Sequence, residues 1–521
     1  MSYRIMVRPA RRNIDLGYDR VLFGTGELTY LQRKGNLGMA IPQKGIAKEA
    51  LFHELEALRA HDLDWHSGRA FAYVFDPGPD VMEVGKQAYS MFLNENALDF
   101  SVFPSLLQLE NELVAMAREH VHGDEQVVGN FTSGGTESII LAVKAARDYF
   151  RSRKPEISEP EMVLPSTAHA AFHKAAHYLD VRVVQVPVES ETLRADVGTI
   201  RQAVSPHTIL LVGSAPSYSH GVVDPIRELG ELALSKGLLL HVDACMGGFM
   251  LPYFRRLGAP VPDFDFTVPG VSSLSMDLHK FAYTPKGASI ILYRSKEIRK
   301  YQIFACSRWT GYTMVNNAVL SSRSGGPMAA AWAVLKFIGE ERYLELAQKK
   351  LEATRKIVEG IQGIRDLRLL GKPDMCLIAF TSDTVNVFHI IDEMKERGWY
   401  IQPALAFDRS KEHIHMSINA SNVNWVDEFL SDLEACVEKA KGMSAGGLAE
   451  ALKEGLSKLN LPELTEEALS KMVAALGMQG DSLPERMADI QAILNVCQPV
   501  VRERLVTEFV NELFRTKNRR L

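Results

Sequence analysis

Cysteine is scarce in this chain of 521 residues. The five cysteines (Cys245, Cys306, Cys376, Cys436 and Cys497) lie far apart and form no CxxC pair. An odd, scattered set excludes a disulfide framework and a zinc ribbon and fits a reducing compartment, so we expect a cytoplasmic protein. Net charge is small as well: 59 Lys+Arg against 64 Asp+Glu leaves −5. Without a basic surplus the chain lacks the electrostatic footprint of a general nucleic-acid binder. The most apolar stretch, Gly237 to Phe254, carries His241 and Asp243, whereas a membrane span needs ~20 mostly apolar residues. The charged opening MSYRIMVRPARRNIDLGYDR shows no apolar core of a signal peptide. Internal repeats, a GxxxxGK[ST] phosphate loop and a strand-linked GxGxxG are missing too.

What is present is the mix of an ordinary globular protein, 46% apolar and 24% charged. The length amounts to about three domains of ~150 residues. Residues 1–100 read as an irregular N-terminal segment with short helical stretches such as Ala47 to His61 and a turn at Asp76-Pro77-Gly78-Pro79. Residues 101–334 alternate between helical and apolar runs. Leu106 to His120 has helical spacing, and Thr132 to Phe150 is a glycine turn entering an amphipathic helix. Glu161–Pro165, Arg182–Pro187, Thr208–Gly213 and Leu238–Val242 read as strands, the last two apolar throughout, as suits a mainly parallel sheet covered on both faces. Pro225 to Lys236 reads as an intervening helix, so the region is a large α/β domain. Residues 335–442 form a smaller α+β domain. In it a long helix, Ala333 to Ile361, is interrupted near Gly339, strands are expected at Cys376–Thr381, Trp399–Ala404 and His413–Ile418, and a helix from Asn386 to Arg397 stops at Gly398. Met443 to Gly447 reads as a linker, and residues 448–521 as a charged helical extension.

Four motifs carry chemistry. Ser133-Gly134-Gly135-Thr136-Glu137-Ser138 turns tightly into a helix start, whose free N–H groups and positive dipole end favour an anion. Asp243 closes the run LLLHVD, at a strand's carboxyl end, where α/β sheets keep their ligands. His279-Lys280 sits in an apolar region, and an amine kept from water is expected to have a lowered pKa and to form an imine. His169, His173 and His177 fall at i, i+4 and i+8, one face of a helix. No Glu lies between the first two and no further ligand cluster accompanies them, so we expect no metal. Each motif alone has an ordinary structural reading. In this chain order they describe a pyridoxal phosphate site: phosphate on Gly134, Gly135 and Thr136, ring stacked by His169, ring nitrogen kept protonated by Asp243, and aldehyde held by Lys280.

SGGTESI, AHAAFHKAAHY, SHGVVDPI, HVDACMGGF, GVSSLSMDLHKFAYTPKGAS and SRSGG resemble, in order and spacing, the sphingosine-1-phosphate lyases, members of the group II decarboxylase family. The similarity runs from about Phe103 to Ile418. The resemblance implies a fold-type I, aspartate aminotransferase-like fold and an obligate homodimer with shared active sites. It implies Lys280 as the imine lysine, Asp243 as the pyridinium partner, His169 as the stacking residue, and Thr136, His279 and Ser214 among the cofactor contacts. Ser324 and Gly325 resemble a loop that reaches the neighbouring subunit's phosphate, and Lys286 resembles a substrate-phosphate contact. The substrate side departs from the family. Asn96-Ala97-Leu98-Asp99 stands where the lyases carry Asn-Pro-Leu-His, Tyr73 lies two places beyond the expected phenol, and a loop tyrosine of the lyases falls near Met314, with Tyr312 close by. In the lyase reading Lys286 with Arg308 or Arg69 offsets the charge of Asp99. The activity implied is retro-aldol cleavage of a phosphorylated 2-amino-3-hydroxy compound to an aldehyde and an amine phosphate. The alternative is an amino-acid decarboxylase with a small amino-group substrate, in which Arg308 or Arg69 holds a carboxylate.

Overall fold

The computed structural model describes residues 41–443 and 486–514. These fall into two units: residues 62–443 with 486–504, and residues 41–61 with 505–514. The helix expected at Ala47 to His61 is Lys48–Leu58, with no buried side chain. The linker positions 444–447 and the extension at 448–485 and 515–521 lie outside the described residues. Two helices of the extension are described, Ala488–Val496 and Pro499–Leu513.

In the larger unit a seven-stranded sheet has the order β1-β7-β6-β5-β4-β2-β3. The strands are β1 (Val128–Thr132), β2 (Glu161–Pro165), β3 (Arg182–Val186), β4 (Thr208–Ser214), β5 (Leu239–Asp243), β6 (Ser273–Asp277) and β7 (Ser289–Tyr293). β2, β4, β5 and β6 are buried along their whole length, because helices cover both faces, and this is why their sequences run apolar without alternation. β3 to β6 pair in parallel, while β7 is antiparallel to both β6 and β1. Being antiparallel to β7, β1 points the same way as β6. Six strands therefore end on one edge of the sheet, and only β7 runs back.

Helix Gly135–Arg153 follows β1 directly. It buries Ile139, Ala142, Val143, Ala146 and Phe150 at helical spacing and carries Arg151 and Arg153 in its last turn, where cations suit the negative dipole end. Helix Gly326–Gly363 breaks at Gly339, whose φ of 65° is open to glycine at no steric cost. A hairpin of β8 (Phe304–Cys306) and β9 (Met314–Asn316) precedes it. A second, antiparallel sheet has the order β10-β11-β13-β12, built from Arg368–Leu369, Leu377–Thr381, Gln402–Ala404 and His413–Ser417 in chain order. Its β12 starts three residues later than expected. Trp399 and Ile401 are buried in the core instead, and the Trp399 indole donates to Asp432 Oδ2 at 2.8 Å, which holds the approach to the strand away from the ladder.

The histidine triplet is a correction. The helix there begins at Ala171, so His169 precedes it and does not share a face with His173 and His177. The reason is a local bond: the Ala171 N–H donates to His169 Nδ1 at 3.1 Å, so the side chain caps the turn before the helix. His173 and His177 point outward and are exposed.

Candidate active site

The site forms where six strands end together. Ser214, Asp243 and Ser275 lie side by side in register on β4, β5 and β6, and β6 continues two residues to Asp277. β5 and β6 each end in a buried aspartate at the edge where the carboxyl ends open into a crevice. Asp243 is buried, and its Oδ1 accepts the Cys245 N–H at 3.1 Å. Beyond Asp277 the chain turns and returns the Lys280 amine to 3.0 Å from Asp277 Oδ2. Burial pulls the Lys280 ammonium down, but the negative charge of Asp277, with Asp243 behind it, outweighs burial and raises it above the ordinary lysine range. That corrects the expected lowering, which followed from burial alone and left out the carboxylate three residues upstream.

The opposite pole is the start of helix Gly135–Arg153. Its first amides have no intrahelical acceptor. Glu137 fixes the turn: Oε2 accepts both the Ser133 N–H and the Ser133 hydroxyl at 2.6 Å, while Oε1 accepts the Val319 N–H at 2.7 Å. Glycine is required at 135, because a Cβ there would lie 2.7 Å from Cys245 Sγ and 2.8 Å from Asp277 Oδ2. His279 Nδ1 accepts the Ala288 N–H at 3.1 Å, so the neutral ring carries its proton on Nε2, 3.6 Å from Asp277 Oδ2. Burial pulls His279 below its usual value against the pull of Asp277, which favours that neutral form.

Gly134, Gly135, Thr136, His169, Asp243, His279 and Lys280 line one cavity of 380 Å³, within the size range of small-molecule sites, about 300–1,000 Å³. Ser214 is not in the lining. It is buried on β4, and its N–H donates to Asp224 Oδ2 at 2.8 Å. Lys286 lies beside the site, its amine donating to the carbonyls of Tyr73 and His279 at 3.3 Å each. Burial, and then Lys280, push the Lys286 ammonium down to about 8. Tyr73 is exposed, has φ 65°, and packs its ring 5.9 Å from that of Tyr400.

The remaining predicted residues do not reach this cavity within one chain. Asp99 is exposed and folds back locally, its Oδ1 accepting the Ser101 N–H at 2.8 Å and the Ser101 hydroxyl at 2.6 Å. Those bonds, the hydroxyl's first, hold its carboxyl below the usual range. Arg308 and Tyr312 are exposed on the turn between β8 and β9, where Tyr312 packs edge-on against Trp309. Ser324 donates to the Leu93 carbonyl at 2.9 Å and caps the Gly326 N–H, and Gly325 leads into the long helix beside Phe92 and Leu106. A larger cavity of 520 Å³ lies against His120, Tyr253 and Glu340. Two of its charged groups are in ion pairs, Arg256 with Glu340 across the lining and His122 with Asp265 behind it.

Residues 31–383 match the pyridoxal-dependent decarboxylase conserved domain. A sphingosine-1-phosphate lyase of Arabidopsis thaliana is 42% identical over 80% of this chain and 77% of its own length. The chain belongs to the sphingosine-1-phosphate lyase branch of the pyridoxal-dependent decarboxylase family. A lyase of Rattus norvegicus is 35% identical over 79% of this chain and 73% of its own length. The solved structure of a Burkholderia pseudomallei sphingosine-1-phosphate lyase superposes with a TM-score of 0.76 at 35% identity, covering 82% of this chain and 98% of that one. A Lactobacillus brevis glutamate decarboxylase, at 19% identity and a TM-score of 0.68, shares the fold. Residues 447–512 match a second model, described as "Pyridoxal-dependent enzyme, C-terminal putative HTH domain". The protein is thus a pyridoxal phosphate-dependent lyase of fold type I.

The cavity suits that cofactor. Its glycine pole leaves room where any Cβ would collide, the pole offers amides to an anion, and a buried carboxylate and an amine converge from adjacent strand ends. Sequence reasoning did not assign Asp277, Tyr218 or Cys245, all of which line the cavity. Asp277 carried a readable signal. It ends the run VSSLSMD just as Asp243 ends LLLHVD, and it stands three residues before Lys280. Tyr218 carried none, since its place depends on β12, where Gln402 Oε1 accepts its hydroxyl at 2.6 Å.

Proposed function

We propose that the protein cleaves the Cα–Cβ bond of a phosphorylated 2-amino-3-hydroxy substrate of the sphingoid type, releasing an aldehyde and an amine phosphate. The observation that carries this reading is the likeness to sphingosine-1-phosphate lyases, 42% identity over most of the chain in one relative, joined to a cofactor cavity with each pole present. Bound pyridoxal phosphate supplies an electron sink for the pair of electrons left on Cα. The chain's residues do the rest. The amides of Gly135 and Thr136 and the neutral His279 would hold the phosphate, and Asp243 would keep a proton on the ring nitrogen, which makes the ring the better acceptor. His169, which lines the same cavity, would cover one face of the ring. Lys280 would be the attachment amine. Lys286 is placed to pair with the substrate phosphate as a point charge.

The reading includes a homodimer. Its support is the exposed set Asp99, Arg308, Tyr312 and Ser324, none of which reaches the cavity of its own chain, among exposed Trp309, Val315, Val319 and Leu320. These exposed apolar side chains, all within residues 309–320, would be covered by a second copy. A cytoplasmic location is proposed on the five unpaired cysteines. The test is direct: the holoenzyme is given a sphingoid-base phosphate and, separately, a panel of amino acids, while aldehyde and CO2 are trapped apart. The lyase reading expects aldehyde from the phosphate; CO2 without aldehyde supports the decarboxylase alternative.

A further inference from the structure

The charged groups around the Lys280 amine can be taken element by element. From β6 comes Asp277, whose Oδ2 is 3.0 Å from Nζ. From the end of β5 come Asp243 and the Cys245 thiol. Burial first, and then the neighbouring carboxylates, push that thiol well above its ordinary value, so it is neutral. From the turn after β6 comes His279, itself 3.6 Å from the same Asp277 oxygen. From the following loop comes Lys286, a like charge, and from the loop after β4 comes the Tyr218 phenol, pushed up to about 12 by burial and so neutral. The two carboxylates differ in what they have to do. Asp243 has the ring nitrogen of the cofactor to pair with. Asp277 has no such partner and is the one within hydrogen-bond distance of the amine. Burial alone would push Asp277 up, but the Lys280 ammonium outweighs it and holds the carboxyl below the usual range, so it stands opposite the amine as an anion.

We propose that Asp277 is a positioning residue: it holds the free amine of Lys280 as an ammonium aimed into the cavity and thereby sets the pH range in which the chain captures its cofactor and regains it after each turnover. This rests on the reading of Lys280 as the attachment amine. Nζ must lose one proton before its lone pair can attack an aldehyde carbon. The nitrogen then replaces the aldehyde oxygen, which leaves as water with the two protons of the neutral amine. The Asp277 carboxylate steadies the ammonium against that first loss, so capture at neutral pH is slowed, while the 3.0 Å contact keeps the amine from swinging away. A buried unpaired ammonium is costly, which is why its partner stands on the adjacent strand end and not in solvent.

The experiment follows capture of pyridoxal phosphate by full-length, cofactor-stripped protein, read as growth of the absorbance band across a pH series, for the wild type, Asp277→Asn and Asp277→Ser. Asp277 as positioning residue predicts that the half-maximal pH of capture falls by at least about one unit in both variants, equivalent to about tenfold more amine in the reactive form at a given pH. A role in packing alone would lower the amplitude and leave the midpoint in place, so superimposable midpoints overturn the proposal. Should neither variant fold, competitive labelling of Lys280 by acetic anhydride in the stripped wild type decides it. The expected midpoint lies above the ordinary value of 10.5, and one at or below 10.5 overturns the proposal. Borohydride reduction and peptide mapping keep the two readings apart. A pyridoxyl mark away from Lys280 defeats the attachment reading, whereas a mark on Lys280 with an unmoved midpoint defeats only the role of Asp277.

Discussion

The two sides of this site are built differently. The cavity side is built from the core of one chain: buried strands end at Asp243 and Asp277, a helix starts at Gly135, and a turn of three residues returns Lys280 to Asp277. The substrate side consists of exposed loops. Tyr73 is exposed, Asp99 bonds to its own turn, and Arg308 and Tyr312 stand on a hairpin tip; the Ser324 loop, expected to serve a neighbouring subunit's cofactor, is exposed as well. The groups around the cavity are thus fixed by the core, whereas the loop residues are exposed and held by local bonds. Varying such loops on a fixed scaffold is how one fold hosts several activities.

The largest expected break lies on the cofactor side. Lys280→Ala removes the attachment amine, so the absorbance band and all turnover disappear while the thermal unfolding transition remains. Asp243→Asn keeps the shape and removes the charge opposite the ring nitrogen; kcat should fall by on the order of a hundredfold, the scale of one preorganised electrostatic partner, with cofactor still bound. Next is the scaffold between the two sides. Glu110 and Arg323 form a buried pair at 3.2 Å, and Arg323 also donates to the Phe131 carbonyl at 2.9 Å, which ties the Ser324 loop to β1. Arg323→Met leaves Glu110 buried without its counter-charge, although Oε1 still accepts from the Asn130 side chain and the Phe131 N–H, and should cost about 3 kcal/mol in denaturant unfolding, with the Ser324 loop released.

A smaller effect sharpens the substrate side. Burial pushes Lys286 down to about 8, so its charge is present below that pH and fades above it. The KM for a phosphorylated substrate should therefore rise as pH passes upward through about 8, and Lys286→Met should show a high KM with no such limb. The smallest effect is expected at Asp99. Because its carboxylate serves its own turn, Asp99→Ala should leave kcat/KM within a few-fold. Asp99→His raising lyase activity would instead mean that the native pocket is built for another substrate.

The contrast also explains what could be read from the sequence. β2 was legible to the residue, and β4 and β5 to within one, because continuous apolar runs ending in polar residues mean strands covered on both faces. Asp243 and Lys280 were legible because a charge ending or interrupting such a run is unusual. β1, β6 and β7 are less so: VGNFT, SLSMD and SIILY mix serine and asparagine with apolar residues, and their pairing, not their composition, makes them strands. His169 was placed on a helix because spacing alone cannot show that an imidazole accepts the amide two residues on and starts the helix after itself. The Lys280 shift had the wrong sign because burial was weighed without its neighbour, although Asp277 was in plain view three positions upstream. Loop residues such as Arg308 and Tyr312 have no periodicity to betray what they face.

Reduction of the holoenzyme with borohydride, followed by digestion and mass mapping, tests the central claim most directly. A single pyridoxyl group on Lys280, lost in Lys280→Ala, is the predicted result. A pyridoxyl group on another lysine, or none in a protein that still turns over its substrate, would contradict it.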